Sequence, residues 1–420
     1  MKKLKKIFKN KVFWVLLLFV LVFFPAAIMK DAEIDVKAVA SAVGVDKTED
    51  GVEVSALVVV PNKSGSSESV KLASAKGDDI ADAINNMSLS LGKVLGLAHC
   101  EAVVFGEEAM YDDLIDQMDF FMRTSNMATN AMVINCNTKA KDLLTAIASD
   151  NNELALSLKN IINFNDQYLF TSETDIETFY KDYFSASNSA FIPIISVEDA
   201  DGSSGDSSGG SGGGSGGEPD SSSSGASASG ASAGGGSKKK VMSEGRTSVI
   251  KNGFKVRELT EDEISGYNGL SKKIKKGNIA VENVTDENFK DATLNFTVER
   301  KDVSIKMKFD GDQPYCDIKM KMVLKLDSAE SEDYNYKMQD STKEYVTPEV
   351  EKKIKEKVLG HINEIFENMR TYQTDTLFIA RDFNRFHNKK WKAYLNSLED
   401  KNKYLDGVDV RVSIDMYGRL

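Results

Sequence analysis

From Val12 to Met29 the chain reads VFWVLLLFVLVFFPAAIM, with no charged residue. A helix packed on a globular core keeps polar residues on one face, and this run has none. Its 18 residues stand near the lower limit for crossing a roughly 30 Å hydrocarbon layer as a helix. Beyond it the pattern changes to short alternating and helical periods. Residues 34–45 and 51–60 are rich in β-formers, and the Asp46–Gly51 stretch between them ends in an Asp-Gly turn pair, so the two predict a hairpin. Asp78 or Asp79 caps a helix with Ile80, Ile84, Met87 and Leu91 on one face, ended by Gly92. Glu101–Phe105 predicts a strand. Glu107–Arg123 predicts a helix with Leu114, Ile115, Met118, Phe121 and Met122 as its stripe, and Ala131–Asn135 predicts another strand. The order β-β-α-β-α-β describes an α+β unit.

Residues 138–184 read as mostly helical, with Leu143, Leu144, Leu154, Leu158 and Ile161 as core positions. Phe191–Val197 predicts a strand. Residues 201–237 are almost wholly Gly, Ser and Ala, a composition that buries too little apolar surface to offset ordering entropy and predicts a flexible coil. Thr247–Leu259 then forms a hairpin around Asn252-Gly253. That hairpin can pair with the strand before the coil, which turns the coil into a long loop within a small middle unit. Toward the C-terminus, one strand carries Leu294, Phe296 and Val298. A second carries Ile305, Met307 and Phe309, and a third Ile318, Met320, Met322, Leu324 and Leu326. Thr347-Pro348 opens a helix with a stripe at Val350, Ile354, Val358, Ile362, Ile365 and Met369. Val408–Met416 supplies a last strand, giving a four-stranded, mainly antiparallel sheet covered on one side by helices.

The fold class predicted is therefore α+β and multi-domain, with mixed or antiparallel sheets each covered by helices, preceded by one N-terminal transmembrane helix. The boundaries are 1–30 for the lysines and anchor, 31–136 for an N-terminal α+β domain, 137–275 for a small middle domain containing loop 201–237, and 276–420 for a C-terminal α+β domain.

Charge sharpens the membrane reading. The 420 residues carry 53 Lys and Arg against 64 Asp and Glu, a net charge of −11. Lys2, Lys3, Lys5, Lys6, Lys9 and Lys11 all precede the apolar run, and without them 47 basic residues face 64 acidic ones, a balance of −17. The cluster places the N-terminus in the cytoplasm and the body outside. A cleavable signal peptide fits the same pattern, with Pro25-Ala26-Ala27 as a weak cleavage site. The apolar run continues past those alanines, which favours the uncleaved anchor. A body this acidic is a poor partner for a phosphate backbone, so nucleic acid is not an expected ligand.

The inventory for catalysis is thin. Three cysteines (Cys100, Cys136, Cys316) and three histidines (His99, His361, His387) are widely spaced, which disfavours a disulfide framework, a zinc ribbon and most His-based catalytic sets. His99 and Glu101 would share one strand face, but two donors need others to hold a metal. Asp310-Gly311-Asp312 lacks the acid spacing of a calcium loop and reads as a turn. The Gly-rich residues 207–217 lack the Lys-Ser/Thr ending of a phosphate loop. No catalytic, cofactor or metal residue is assigned, and the chain is expected not to be an enzyme. Lys306, Lys308, Lys319, Lys321 and Lys325 alternate with apolar residues and predict a cationic open sheet face. A solvated face is the ordinary outcome. The functional alternative is docking on anionic headgroups or an acidic partner.

Leu95–Arg123 (LGLAHCEAVVFGEEAMYDDLIDQMDFFMR) resembles the N-terminal signature of the spore germinant-receptor C subunits, the Ger(x)C family. Its features fall on Gly96, His99, Gly106, Glu107, Asp119, Phe120, Phe121 and Arg123. Ser74–Gly92 resembles the family's helix entry, and Gly245–Gly269 its two short strands leading to a Glu-rich turn. Asp375, Trp391 and the closing VDVRVSIDMYGRL are also similar. The family's lipid-bearing cysteine after the signal sequence is absent here, and Leu97-Ala98 separate Gly96 from His99. The resemblance implies a noncatalytic subunit on the outer face of the spore inner membrane, acting in the nutrient response with a transporter-like subunit and a larger multi-pass subunit. The alternative class is an extracytoplasmic solute-binding sensor with a pocket between domains.

Overall fold

The computed structural model describes residues 37–60, 69–124, 127–149, 174–199, 239–242, 245–271, 277–286, 289–330 and 346–419. The lysine cluster, the apolar run 12–29, Leu154, Leu158, Ile161 and the 201–237 segment lie outside them. Among the described residues no helix is long and apolar enough to cross a membrane.

Strands β1 (Lys37–Thr48) and β2 (Gly51–Val60) form the expected hairpin. They are followed by β3 (Ser69–Gly77) and helix α1 (Ile80–Leu91). Asp79 caps α1 by accepting from Asp82 N, and Gly92 closes it at φ 65, a left-handed position that glycine takes without strain. β3 was not expected as a strand. Four of the nine residues in its sequence SVKLASAKG are Ser or Lys, and it occupies the sheet edge, where such residues face solvent and discourage further pairing. Next come β4 (Val94–Gly96), β5 (Ala102–Phe105), a short 3-10 turn Glu108–Tyr111, α2 (Leu114–Arg123), β6 (Met132–Cys136), α3 (Ala140–Ser149) and α4 (Ile176–Tyr183).

β5 and β6 are buried at every position. The sheet is covered on both faces, so these parallel strands read as continuous apolar runs and not as alternating ones. Val103, Phe105 and Val133 point to one core with Met87, Met118 and Phe121. Val104, Met132 and Ile134 point to the other with Leu143 and Leu144.

β7 (Ser189–Asp199) lies parallel to β6 and antiparallel to β8 (Lys239–Met242) and β9 (Thr247–Lys251), and β9 turns into β10 (Phe254–Glu258). The strands between residues 137 and 275 therefore build no sheet of their own. They extend the first one, which runs β10-β9-β7-β6-β5-β1-β2-β3 and counts ten strands with β4 and β8.

Helix α5 (Glu261–Leu270) opens with a capping box between Thr260 and Glu263. The second sheet has the order β11 (Gly277–Val284), β12 (Ala292–Asp310), β13 (Gln313–Glu330) and β14 (Asp409–Arg419), with β13 and β14 parallel. Four strands were expected, but two of the expected ones, 294–298 and 305–309, are halves of β12, and the fourth place belongs to β11. The cause is a bulge between Val298 and Arg300. It moves the buried set from even positions (Leu294, Phe296, Val298) to odd ones (Val303, Met307). A one-residue slip exchanges the faces without ending the strand.

Helix α6 (Pro348–Tyr372) is capped by Thr347 and buries Val350, Ile354, Ile362, Ile365, Phe366 and Met369. Two further helices, α7 (Ile379–Phe386) and α8 (Asn388–Ser397), complete the cover. Trp391 stacks on Phe383 at 4.7 Å and meets Tyr404 edge-on at 5.6 Å. Phe191 of β7 and Val249 of β9 belong to this same second core, with Phe191 edge-on to Tyr267 at 5.5 Å.

Candidate docking surfaces and the buried charges behind them

Gly106 and Glu107 follow β5 directly. A Cβ at Gly106 would lie 2.1 Å from Asp46 Oδ1, so no other residue fits there. Asp46 needs that place because its carboxylate accepts from Ala140 N (2.7 Å) and Lys141 N (2.9 Å) at the start of α3. Burial pushes the Asp46 carboxyl above its ordinary value, and the two backbone donors oppose the shift. Glu107 accepts from Lys255 Nζ at 2.6 Å. Lys255 is almost fully buried and also reaches Glu258 at 3.0 Å and Asn135 Oδ1 at 3.2 Å. Asn135 takes a further bond from Ser248 Oγ at 2.9 Å. One ammonium thus ties β5's exit to the β9–β10 hairpin.

The hairpin tip docks on α2. Leu114 N donates to Gly253 O at 2.8 Å, and Asp113 caps the helix by accepting from Ile115 N at 2.9 Å. On α2, Phe121 is buried against Phe105, Phe120 is half-buried, and Arg123 pairs with Asp119 at 2.6 Å on the surface. Such an exposed pair contributes little stability, which leaves Asp119 and Arg123 as the outward part of the motif.

Gly96 ends β4, where a Cβ would meet only Ala38 O at an ordinary 3.6 Å. His99 lies exposed in the turn before β5. Glu101 precedes the strand, which starts at Ala102, so the two do not share a strand face as expected. Cys100 is buried between them, donates to Ala102 O, and has its thiol pushed up to about 12 by burial. Among the described residues no group of three metal-ligating side chains comes together.

Alternation alone did not find a further buried acid, Asp375. It is fully buried, accepts from Ile379 N and Ala380 N at 2.7 Å each, and takes the Tyr404 hydroxyl at 3.0 Å. Its own N–H donates to Ser189 Oγ at the start of β7 (3.1 Å). Burial raises its carboxyl pKa against the pull of those donors. The only sequence signal for it was the resemblance.

The strand register sets the five lysines on one face of the second sheet. Lys306, Lys319, Lys321 and Lys325 are exposed, and Lys308 pairs with Asp317 at 2.6 Å. Their face is opposite the one covered by α6, α7 and α8. It also carries acids: Lys321 stands across from Asp302 and Asp415, and Lys306 across from Asp317. Lys319 stands between Ser304 and Ser413.

Two family models match the chain. Residues 30–197 match the spore germination protein N-terminal domain, and residues 246–418 match the spore germination B3/GerAC-like C-terminal domain. A solved structure, the crystal structure of the GerBC protein, superposes with a TM-score of 0.50 at 14% identity. The alignment covers 90% of this chain and 96% of that one, a likeness of fold. No curated protein matches. The two domain matches, which together span most of the chain, show that it belongs to the GerAC-like spore germination family, the C subunits of spore germinant receptors.

Proposed function

We propose that this protein is a noncatalytic, membrane-anchored, extracytoplasmic subunit that supports nutrient-triggered germination through protein contacts. The observation that carries the proposal is the surface left by the fold. Gly106 and Phe121, which are buried, and half-buried Glu107 fix the scaffold, while Asp119 and Arg123 on α2 and the lysines on the second sheet face outward. The apolar run 12–29 would hold this body at the spore inner membrane and raise its local concentration near membrane-embedded partners. Those partners are the transporter-like and the larger multi-pass receptor subunits of the family. The proposed domain division is 31–136, 137–275 with the loop 201–237, and 276–420. Affinity capture of the full chain from spore membranes tests the reading, together with germination of a deletion strain. Co-purification of two multi-pass proteins and loss of the nutrient response are expected. Capture of neither partner, with normal germination and no paralogue to compensate, would sink it.

A further inference from the structure

The bulge at Val298–Arg300 does more than break the alternation of β12. It turns Lys301 onto the covered face, opposite Met322. There the side chain enters a cavity of about 630 Å³ between the second sheet and helices α5 and α6. The volume falls within the range that ordinary ligand pockets occupy. The space exists because α5 presents glycines to it. A Cβ at Gly266 would meet Ile365 at 2.7 Å and His361 O at 3.0 Å, so this helix packs tightly on α6. One turn on, Gly269 extends no side chain toward the sheet, and a Cβ there would still stand 3.7 Å from Met320.

The walls divide into two kinds. Val298, Met320 and Met322 are buried and apolar, with Ile279 and Val358 beside them. Lys301 and Lys357 are cationic, His361 faces Asp262 at 3.4 Å, and no carboxylate occurs among the described lining residues. Lys301 Nζ donates to the Asn268 carbonyl, and Lys357 Nζ donates to the Ala280 carbonyl at 3.0 Å. Neither carbonyl carries a full negative charge. Burial alone lowers the Lys301 ammonium to about 8. A half-buried cation without a counter-charge is costly, and an apolar cavity ending on such a cation is complementary to a carboxylate with a hydrocarbon body.

We propose that this cavity is a binding site for a small aliphatic monocarboxylate, its chain against Met320 and Met322 and its carboxylate on Lys301. The proposal does not rest on the receptor reading, because it concerns the interior of the second core and not its outer surfaces.

The test uses the full chain in lipid nanodiscs, titrated calorimetrically with hexanoate and with hexanamide, and corrected against empty nanodiscs. Hexanoate is expected to bind about tenfold or more tightly than hexanamide, a difference carried by the ion pair. In Lys301→Met the two probes should bind alike, since only the charge contact is lost. Gly269→Leu fills the space from the helix side, replaces a helical glycine with a better helix former, and should weaken both probes. Equal affinities in the unaltered chain, no saturable hexanoate binding, or a preference that survives Lys301→Met would overturn the assignment. Capture of membrane partners, measured on the same Lys301→Met chain, reports separately on the proposed function.

Discussion

Arg257 and Glu263 form the most deeply buried ion pair described, at 2.6 Å with both side chains almost fully enclosed. The Glu263 carboxylate also accepts from Thr260 N as half of the α5 capping box. Arg257→Met strands that carboxylate and should cost about 3–5 kcal/mol, whereas the double change Arg257→Met with Glu263→Leu should recover most of it. Denaturant titration of the single and double variants measures this, and additive losses would mean the pair is not coupled. His361 gives a pH signature. Burial holds its pKa below the ordinary 6.5, so the unfolded chain takes up a proton first as the pH falls. Its contribution to stability is full above about 6.5 and is lost as the pH drops through that value toward the folded pKa. Thermal midpoints followed from pH 7 to about pH 5 should fall less in His361→Gln than in the unaltered chain. At this scale the sequence was only partly legible. Glu107 stood out through the resemblance, but its partner did not. β10 reverses the usual order, with Phe254 and Val256 exposed and Lys255 buried between them, so alternation alone assigns Lys255 to solvent.

Among elements, caps and long stripes were the readable features. Asp79 and Thr347 each accept a backbone N–H at the start of a helix, and the α6 stripe was nearly complete in the pattern. Edge and bulge were not. β3 carries too many Ser and Lys residues to stand out as a strand, and the parity change in β12 looks like a strand end. The hydrogen-bonded register with β13 is what reveals continuity, and that information is not local. The same register defines the open lysine face. Changing Lys319, Lys321 and Lys325 to Gln replaces exposed side chains without setting like charges across the strands, so unfolding free energy should change by no more than about 0.5 kcal/mol per site. Recovery of partner subunits from spore membranes should fall sharply in that triple variant. Unchanged recovery would remove this face from the docking surfaces while leaving α2 as a candidate.

For the whole molecule, the pairing of the 247–259 hairpin with the strand before the Gly/Ser segment was legible, but its place as an extension of the first sheet was not. β7 lies before the Gly/Ser segment and β9 after it, and they pair directly from Ser189–Lys251 to Pro193–Thr247. Phe191 and Val249 then carry the second core onto this sheet, and Asp375 joins α7 to the start of β7 through Ser189. Composition marks residues 201–237 as a boundary, and it is one in sequence. It is not one in the fold, since the hydrogen bonds that cross it link positions far apart in the chain. No local window contains both partners.

The pairing of Asp199 with Lys239 in the β7–β8 hairpin has a practical corollary. The chain leaves the sheet and returns to it at adjacent rungs, so everything between those rungs does the geometric work of a tight turn. Its length then sets only a closure entropy, which changes by about 0.6 kcal/mol for each doubling. Replacing the residues between Asp199 and Lys239 with Asn-Gly should leave the thermal midpoint unchanged or slightly raised. A single proteolytic nick within 201–237 should yield two pieces that still migrate as one particle. The sequence of that segment is then free to drift, and the two halves of the protein are held by the sheet rather than by the peptide that connects them.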